Sequence, residues 1–356
     1  MQRQNFAGRR SGTAGFSKRF ARLETMNKAE ILEYLKTADR QKIQELFARA
    51  DAARQKYCGD GVLLRGIVEF SSYCQGSCAY CGLNQHNQNT PRYRLTQEEI
   101  IAAAGLIHTS GIKTIVLQSG EDPELDPEWL AEIIRALKTK YALSITLSVG
   151  EKIRDAYKLW REAGTDRYLL KIETTDAALY KRLHPNMSLA NRLRCLDDLQ
   201  ELGYQTGSGI IVGLPKQTPE ILAGDILFFA ARDFDMIGIG PLIPHQATEL
   251  KDLPRGSVDL TLRCVALTRI LTKNAHLPAT TALGSLDKDY RLDGLQAGAN
   301  VLMPNFTPQP YKKNYEIYPG KRCISEPTGQ CALCMESLVG SINRYVDFSR
   351  GDSLKK

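Results

Sequence analysis

Short apolar segments alternate with segments of helical periodicity along most of the chain, and this alternation limits the fold more than any other feature. Eight segments have the apolar content and the length of buried strands. They cover residues 63–70, 114–118, 143–147, 168–173, 208–212, 236–239, 278–282 and 300–303. Strands that alternate with helices pair in parallel, so the pattern predicts an α/β fold, a (β/α)8 TIM-type barrel. An open doubly wound sheet is the alternative, but polar motifs recur after the strands and favour the barrel.

The 356 residues divide into four parts in this interpretation. Residues 1–25 form a basic leader or extension, residues 26–62 form N-terminal helices, residues 63–306 form the barrel, and residues 307–356 form a C-terminal extension. A single α/β barrel of about 250 residues is common. The leader has no apolar periodicity, so we expect it to be disordered, with an organelle transit peptide as an alternative.

Charge and hydropathy argue against two classes of partner. The net charge is +7, but residues 1–25 hold six basic residues and one acidic residue, which leaves the rest of the chain almost balanced. A balanced body gives little support for nucleic-acid binding, and no apolar run approaches the roughly 18 residues of a membrane-spanning helix. We therefore expect no nucleic-acid or membrane partner. The nine cysteines without a secretory signal predict a cytoplasmic location, or an organelle if residues 1–25 are a transit peptide.

Three cysteines follow the first predicted strand at the spacing C-x3-C-x2-C, namely Cys74, Cys78 and Cys81. Three thiolates can hold three irons of a 4Fe-4S cluster and leave the fourth iron open to a small molecule, whereas an electron-transfer cluster takes four cysteines. A structural zinc site is one alternative, but zinc usually takes four ligands in two separated pairs, and no second pair lies nearby. The spacing therefore predicts a 4Fe-4S cluster with one open iron.

A second set of cysteines lies beyond the last predicted strand. Cys323, Cys331 and Cys334 have the spacing C-x7-C-x2-C. Three cysteines again predict an iron–sulfur cluster, either 2Fe-2S or 4Fe-4S, with thiols that bind no metal as the alternative. Because this set follows the barrel, we expect it to lie away from the chemistry.

The first cysteine motif, with Tyr80 directly before its third cysteine, resembles that of the radical S-adenosylmethionine (SAM) superfamily. This resemblance implies that the open iron binds SAM and that Tyr80 lies beside the adenine ring. It also implies that the end of the second strand meets the methionine part of SAM. The further cofactor-binding residues that it implies are Gln118, Ser119, Gly120, Glu121, Thr146, Glu173, Arg192 and Met236.

Two of these residues suit the two charged groups of SAM. Glu173 ends the fourth predicted strand, where its carboxylate could hold the amino group. Arg192 could pair with the carboxylate, since a guanidinium fork matches that geometry. A salt bridge on a helix surface is the alternative for Arg192.

Six longer segments carry a denser resemblance, to the HydE family of FeFe-hydrogenase maturases. They are Cys74–Asn84, Thr114–Pro123, Asp166–Thr174, Gly238–His245, Pro278–Gly284 and Asn300–Tyr311. The resemblance covers residues 27–340 and implies reductive cleavage of SAM to methionine and a 5′-deoxyadenosyl radical. The radical would act on an iron-carbonyl-cyanide cysteine precursor in assembly of the hydrogenase H-cluster. The substrate-binding residues that it implies are Thr280, Thr281, Met303, Tyr315 and Tyr318.

The resemblance also implies partners: an electron donor of the ferredoxin or flavodoxin type, the maturases HydG and HydF, and a small-molecule substrate. One departure concerns Lys171-Ile172, where members of the family often carry Arg-His. Lys171 keeps the positive charge but not the bidentate fork of arginine.

Two other functions remain open from the sequence. An enzyme like methylornithine synthase or biotin synthase would act on a free small molecule. An iron–sulfur scaffold would transfer a cluster without cleaving SAM, although the SAM-type motifs at several strand ends count against it.

Overall fold

The computed structural model describes residues 26–322 and 331–355, without the side chains of residues 331–334. Its centre is a barrel of short parallel strands. They are β1 (Gly61–Leu64), β2 (Gly66–Ser71), β3 (Thr114–Ser119), β4 (Ser144–Ser148), β5 (Arg167–Leu169), β6 (Gln205–Val212), β7 (Met236–Pro241), β8 (Val301–Leu302) and β9 (Tyr345–Asp347). The six strands from β2 to β7 pair in chain order in one sheet, and β1 pairs with β8 and β9 in a second.

Isolated bridges close the two sheets into one barrel. In the segment that precedes α10 (Thr281–Gly284), His276 forms a bridge to Met236 of β7, and Pro278 forms a bridge to Val301 of β8. A further bridge joins β2 to the segment after β8. Every strand ladder is parallel, as helical crossovers require. The predicted α/β barrel is confirmed.

Helices connect the strands and pack on the outside of the barrel. They are α1 (Lys28–Lys36), α2 (Arg40–Cys58), α3 (Gln97–Thr109), α4 (Pro127–Tyr141), α5 (Arg154–Ala163), α6 (Ala177–Leu183), α7 (Leu189–Glu201), α8 (Pro219–Arg232), α9 (Val258–Thr272), α10 (Thr281–Gly284), α11 (Arg291–Gln296), α12 (Gln309–Lys312) and α13 (Cys331–Gly340). Local chemistry sets their starts: Thr96 and Glu99 form a capping box before α3, and proline begins α4 and α8.

Apolar side chains from the strands and from the inner faces of the helices form one continuous core. In α4, the buried residues Leu130, Ile133, Ile134 and Leu137 recur at the spacing of one helical face. Burial of each such side chain contributes about 1.5–3 kcal/mol. This packing holds the strand ends in place, and the strand ends carry the polar residues that the sequence singled out.

Three of the predicted strands differ clearly from the structure. The fourth, predicted at residues 168–173, is reduced to β5 at Arg167–Leu169, with one isolated bridge at Glu173. The first is interrupted at Arg65, whose buried guanidinium points into the base of the barrel and reaches the sulfur of Met236 at 2.8 Å and the carbonyl of Gly351 at 3.2 Å. The seventh contributes only isolated bridges at His276 and Pro278. Proline cannot donate to a strand ladder, which explains why this segment makes no regular strand.

The C-terminal residues lie across the base of the barrel. β9 pairs with β1, and Asp352 accepts a hydrogen bond from buried Arg167 at 2.6 Å. The carbonyl of Asp352 lies 3.0 Å from Nε2 of His276, and Ser353 bonds to Asp235. These contacts come from the starts of several strands, so the tail covers the end of the barrel opposite the predicted site. None of the helices within residues 26–322 and 331–355 has the length and apolar character to cross a bilayer.

Asp225 of α8 fixes the segment that follows β5. Its Oδ1 accepts hydrogen bonds from the backbone N–H and the hydroxyl of Thr175, both at 2.6 Å, and Thr175 comes two residues after Glu173. Its Oδ2 is buried without a hydrogen bond in the described part of the protein. Burial therefore raises the pKa of Asp225 to about 6, against an ordinary value of 3.8.

We predict that Asp225→Asn changes how stability depends on pH. A raised folded-state pKa means that the folded protein binds more protons than the unfolded chain between pH 4 and 6. The stability of the wild type relative to the Asn variant should therefore be highest below pH 4 and fall by about 3 kcal/mol towards pH 7. Urea unfolding of the metal-free proteins from pH 4 to 7.5 measures this difference. A difference that does not change with pH would contradict the prediction.

Candidate active site

The three cysteines of the first motif lie on the long loop between β2 and α3, and all three line one cavity in the barrel. The sulfur of Cys74 accepts backbone N–H groups from Gly76 at 3.3 Å and from Glu121 at 3.4 Å. A methyl group placed on Gly76 would lie 3.3 Å from the sulfur of Cys74 and 3.6 Å from that of Cys78. The loop thus curls around two of the sulfurs, and its N–H groups favour the thiolate form of Cys74.

The donor set fits a cluster with an open iron. Among the described residues, no group of three or more His, Cys, Asp or Glu side chains is arranged to hold a single metal ion. In a cluster each thiolate binds its own iron, so the sulfurs stand further apart than the ligands of one ion. Three thiols that face one cavity are therefore compatible with a 4Fe-4S cluster.

Burial keeps these thiols protonated when no metal is bound. It raises the pKa of Cys78 to about 12, with a further contribution from Cys74, and it raises the pKa values of Cys74 and Cys81. Because thiolates are the ligands, metal binding must displace these protons.

The end of β3 packs directly against the cysteine loop. A methyl group on Gly120 would lie 2.3 Å from the carbonyl oxygen of Tyr73 and 2.7 Å from Cβ of Cys74, so only glycine allows this approach. The N–H of Gly120 also donates to the carbonyl of Ser71 at 3.1 Å. This packing brings the N–H of Glu121 to the sulfur of Cys74.

The cavity has a volume of about 350 Å³, which is within the usual range for a small-molecule site. It collects nearly all the residues that the sequence predicted. Those that line it, besides the three cysteines, are Tyr80, Gln118, Ser119, Gly120, Glu121, Glu173, Arg192, Met236, Thr280, Thr281, Met303, Tyr315 and Tyr318. The cysteine motif and the predicted substrate-binding residues thus share one space.

Thr146 is the exception. It lies in the middle of β4 and lines a separate, much smaller cavity near the base of the barrel, beside Arg65 and Arg167. Residues two apart in a strand point to the same face. Ser148, two residues further along the same strand, therefore points into the barrel as Thr146 does, but it lies closer to the mouth and lines the main cavity. The hydroxyl of Thr146 is buried without a hydrogen bond in the described part of the chain.

Glu173 has an unusual backbone at the wall of the cavity. Its φ is 63°, in the left-handed region that residues other than glycine seldom adopt. Such backbone strain is concentrated at functional sites. Its Oε2 lies 3.0 Å from Nζ of Lys171, but the two are not aligned, and Oε2 makes no hydrogen bond among the described residues. The carboxylate therefore retains capacity to accept a hydrogen bond.

Lys171 extends across the glycine-lined surface of β6 and β7. A methyl group on Gly209 would lie 2.8 Å from Cε of Lys171 and 2.1 Å from the carbonyl oxygen of Gly238. Glycine at that position leaves room for the lysine side chain. The departure from the family pattern therefore places an ammonium group at the cavity wall.

Arg192 of α7 forms a buried ion pair rather than a surface one. Its Nε donates to Oε1 of Glu151 at 2.6 Å, and its Nη1 donates to the carbonyl of Lys171 at 2.6 Å. Its Nη2 lies 3.9 Å from the sulfur of Met187, and the guanidinium also interacts with the side chain of Tyr180. One edge of the guanidinium is thus occupied by protein, and one nitrogen retains capacity for a further acceptor.

Tyr80 is oriented by His184. The Tyr80 hydroxyl lies 3.0 Å from Nε2 of His184, and Nδ1 of His184 lies 3.2 Å from the carbonyl of Tyr180. A carbonyl only accepts, so Nδ1 carries the proton and Nε2 accepts from Tyr80. Burial lowers the pKa of His184 to about 3, so the imidazole is neutral at physiological pH.

A buried ion pair fastens the opposite wall of the cavity. Lys321 bonds to Glu69 of β2 and donates to the carbonyl of Tyr315 at 3.2 Å. Glu69 also accepts from Asn305 at 3.0 Å. Removal of one partner from a buried pair costs about 3–5 kcal/mol. This contact holds the segment that carries Tyr315 and Tyr318 against the barrel.

The second set of cysteines is not placed by the structure. Cys323 lies outside the described residues, and the side chains of Cys331 and Cys334 in α13 are also outside the description. The basic leader of residues 1–25 is outside it as well. The predictions for these residues stay predictions.

Several residues of the site were missed in the sequence. His184 has no motif of its own and reaches Tyr80 only because α6 packs on the cysteine loop. Glu151 lies a few residues after the third predicted strand, and nothing in the sequence pairs it with Arg192. Ser148 could have been found from the alternation of side chains along its strand.

Comparison with known proteins agrees with this geometry. The model of the radical SAM superfamily matches residues 68–228. The chain is 48% identical to the FeFe-hydrogenase maturase subunit HydE of Thermotoga maritima over 88% of this chain and 89% of that protein. It is 28% identical to 3-methylornithine synthase of Methanosarcina acetivorans over 74% of each chain. The crystal structure of methylornithine synthase (PylB) shares the fold, with a TM-score of 0.82 and 23% identity over 92% of this chain and 97% of that one.

The barrel, the three-cysteine loop and the superfamily match define a radical SAM enzyme, a class that uses a 4Fe-4S cluster and SAM. At 48% identity over most of both sequences, the chain belongs to the HydE family of FeFe-hydrogenase maturases.

We predict that Tyr80 and His184 are energetically coupled. His184→Phe removes the acceptor of the half-buried Tyr80 hydroxyl, which should lower the free energy of unfolding by about 1 kcal/mol. Tyr80→Phe should destabilise the protein for the converse reason. The double variant should lose less free energy of unfolding than the two single variants lose together. Urea unfolding of the four proteins in a double-mutant cycle measures this difference. If the losses of unfolding free energy in the two single variants simply add up in the double variant, the predicted coupling through the hydrogen bond is wrong.

Proposed function

We propose that this chain binds a 4Fe-4S cluster through Cys74, Cys78 and Cys81 and binds SAM in the adjoining cavity. The single observation that carries this proposal is the convergence of the three cysteines with the predicted SAM and substrate residues on one cavity of about 350 Å³. When bound and reduced, the cluster supplies one-electron cleavage of SAM to methionine and a 5′-deoxyadenosyl radical.

The protein side chains orient SAM in this proposal. The carboxylate of Glu173, whose Oε2 makes no hydrogen bond among the described residues, accepts from the SAM amino group. Nη2 of Arg192 supports the SAM carboxylate, while Glu151 holds the other edge of the guanidinium. The ring of Tyr80, fixed by His184, provides a surface for the adenine. The barrel around them excludes water from a reactive species.

We further propose that the substrate is an iron-carbonyl-cyanide cysteine precursor of the H-cluster. Thr280 and Thr281 line the cavity and offer hydroxyl groups to a carboxylate, and Met303, Tyr315 and Tyr318 provide the remaining wall. Lys171 contributes a positive charge for an anionic substrate. The partners in this proposal are HydG, HydF and a ferredoxin or flavodoxin that supplies electrons.

A free small molecule is the alternative substrate, as in methylornithine synthase or biotin synthase. The similarity of the fold to methylornithine synthase supports the architecture alone. The identity to the HydE relative is 48%, against 28% to 3-methylornithine synthase and 26% to a biotin synthase. We therefore favour the hydrogenase precursor.

We predict that SAM cleavage depends on the first cysteine motif. The reconstituted wild type should form 5′-deoxyadenosine from SAM under dithionite, as measured anaerobically by chromatography. Cys78→Ala should lose this activity, because one iron of the cluster lacks its thiolate. Cys195→Ala, at a buried cysteine outside the cavity, is the matched control and should retain it. If the wild type holds a cluster and binds SAM but never cleaves it, the enzyme proposal fails and a scaffold role gains support.

We predict a separate effect for Lys171. Lys171→Met keeps most of the length of the side chain but removes its charge, so an anionic substrate should bind about tenfold more weakly, as expected for one charged hydrogen bond. Lys171→Arg should restore most of this affinity. The substrate affinity is measured by titrating the iron-carbonyl-cyanide cysteine species and recording the rate of 5′-deoxyadenosine formation. The concentration that gives half of the maximal stimulation is compared between the variants. An unchanged concentration dependence in the Met variant would rule out this role.

A further inference from the structure

A large open groove lies on the outer side of the cysteine loop. Its volume is about 980 Å³, and it meets the catalytic cavity at Glu121 and Met187. The residues that line it come from the cysteine loop, the segment after β3, the segment before α5, and the α6–α7 connection. The site described above does not use this groove.

The groove brings the protein surface close to two of the cysteines. Gln75 and Gly76 form part of its wall. Gly76 is in direct contact with the sulfur of Cys74, to which its N–H donates at 3.3 Å. Asn186 of the α6–α7 connection bonds to the carbonyl of Gln75 at 2.9 Å and to the N–H of Ser77 at 3.1 Å. Only the backbone of the loop therefore separates the groove from a cluster held by these thiolates.

One wall of the groove carries three positively charged side chains. Lys152 and Lys181 line the groove and make no ion pair in the described part of the chain. Nζ of Lys181 donates only to the carbonyl of Pro185, at 3.0 Å. Arg194 adds a guanidinium that is exposed but paired with Asp198.

Three acidic residues line the groove, and each is engaged within the protein. Glu121 accepts from the backbone N–H of Glu151 at 3.0 Å and interacts electrostatically with Lys152. Asp122 is buried against Arg94, and Glu151 is paired with Arg192.

Three exposed carboxylates, Glu124, Asp126 and Glu128, stand on the opposite rim, before and at the start of α4, and one, Asp155, stands in the first turn of α5. The basic wall, made of Lys152, Lys181 and Arg194, lies before α5 and on α6 and α7.

An exposed apolar side chain stands beside this basic wall. Ile153 lines the groove and is 70% exposed, the highest value among the exposed large apolar residues described. It occupies the N-cap of α5, where it makes no side-chain cap hydrogen bond. An apolar centre with a charged rim is the usual composition of a protein–protein interface.

We propose that this groove is the docking surface for a small acidic protein that carries one electron on an iron–sulfur or flavin group. The inference rests on the proposed function, because it assumes a cluster at Cys74, Cys78 and Cys81. One electron leaves the reduced carrier and enters the oxidised cluster, and no atom is transferred. The lysines attract the acidic carrier, and Ile153 provides the apolar contact. The loop at Gly76 keeps the distance for electron transfer to the cluster short.

The test uses the reconstituted protein and a purified acidic flavodoxin held reduced. Lys181→Glu and Ile153→Glu alter the groove without changing any residue assigned to SAM or substrate. Lys181→Arg keeps the charge, and Lys113→Glu reverses an exposed lysine at the start of β3, far from the groove. Cluster reduction by flavodoxin is followed by electron paramagnetic resonance, and flavodoxin binding by surface plasmon resonance at several salt concentrations.

We expect Lys181→Glu and Ile153→Glu each to slow reduction by flavodoxin about tenfold at low ionic strength, with weaker binding. High salt should shrink the effect of Lys181→Glu. Lys181→Arg and Lys113→Glu should behave as the wild type. All five proteins should cleave SAM equally with dithionite.

Equal rates with flavodoxin in all five proteins would overturn the docking surface. Loss of dithionite-driven cleavage or of SAM affinity in the groove variants would also overturn it, since the groove would then serve SAM itself. A wild type that fails to cleave SAM with dithionite refutes the proposed function instead, so the two failures are distinguishable.

Discussion

The close approach of Gly120 to the cysteine loop is the contact on which the rest of the site depends. A side chain at that position would collide with the carbonyl of Tyr73 and with Cβ of Cys74. The absence of a Cβ lets the N–H of Glu121 reach the sulfur of Cys74, so the loop and the barrel meet through backbone groups. Backbone contacts of this kind hold the three thiols at the mouth of the cavity with little side-chain entropy to lose. The other walls of the cavity are built around this junction.

Two of the charged groups beside the cavity are held in buried ion pairs. Glu69 and Lys321 neutralise each other behind the cavity, and Arg192 is held by Glu151. A buried charge is costly without a partner, so these pairs serve mainly to fix structural segments. Glu173 differs from these residues in two ways. Its backbone is in the left-handed region, and its Oε2 makes no hydrogen bond among the described residues. The described residues thus concentrate strain and unused hydrogen-bonding capacity beside the cysteines.

Much of the fold followed from periodicity and capping. Helices such as Ala177–Leu183 and Pro219–Arg232 begin at N-cap side chains, Asp176 and Thr218, that are visible in the sequence, because caps and apolar faces are local signals. The interruption at Arg65 was missed because it depends on contacts with Met236 and Gly351, far along the chain. Thr146 was predicted to contact the cofactor, but it lies below the main cavity, and Ser148 lines that cavity instead. The depth of a residue in the barrel depends on how the strands are aligned with one another, and this alignment cannot be read from the sequence alone.

The sequence by itself determined the chemistry: three cysteines at C-x3-C-x2-C, the polar ends of the strands, and the density of shared segments that marks the HydE family. These are properties of residue type and spacing, and they survive without knowledge of the packing. Only the tertiary structure decided which groups act together. It paired His184 with Tyr80 and Glu151 with Arg192, and it placed Lys152, Lys181 and Ile153 in the same groove as the loop at Gly76. Such contacts join residues that are distant in the chain, and their geometry is set by how the helices pack on the barrel.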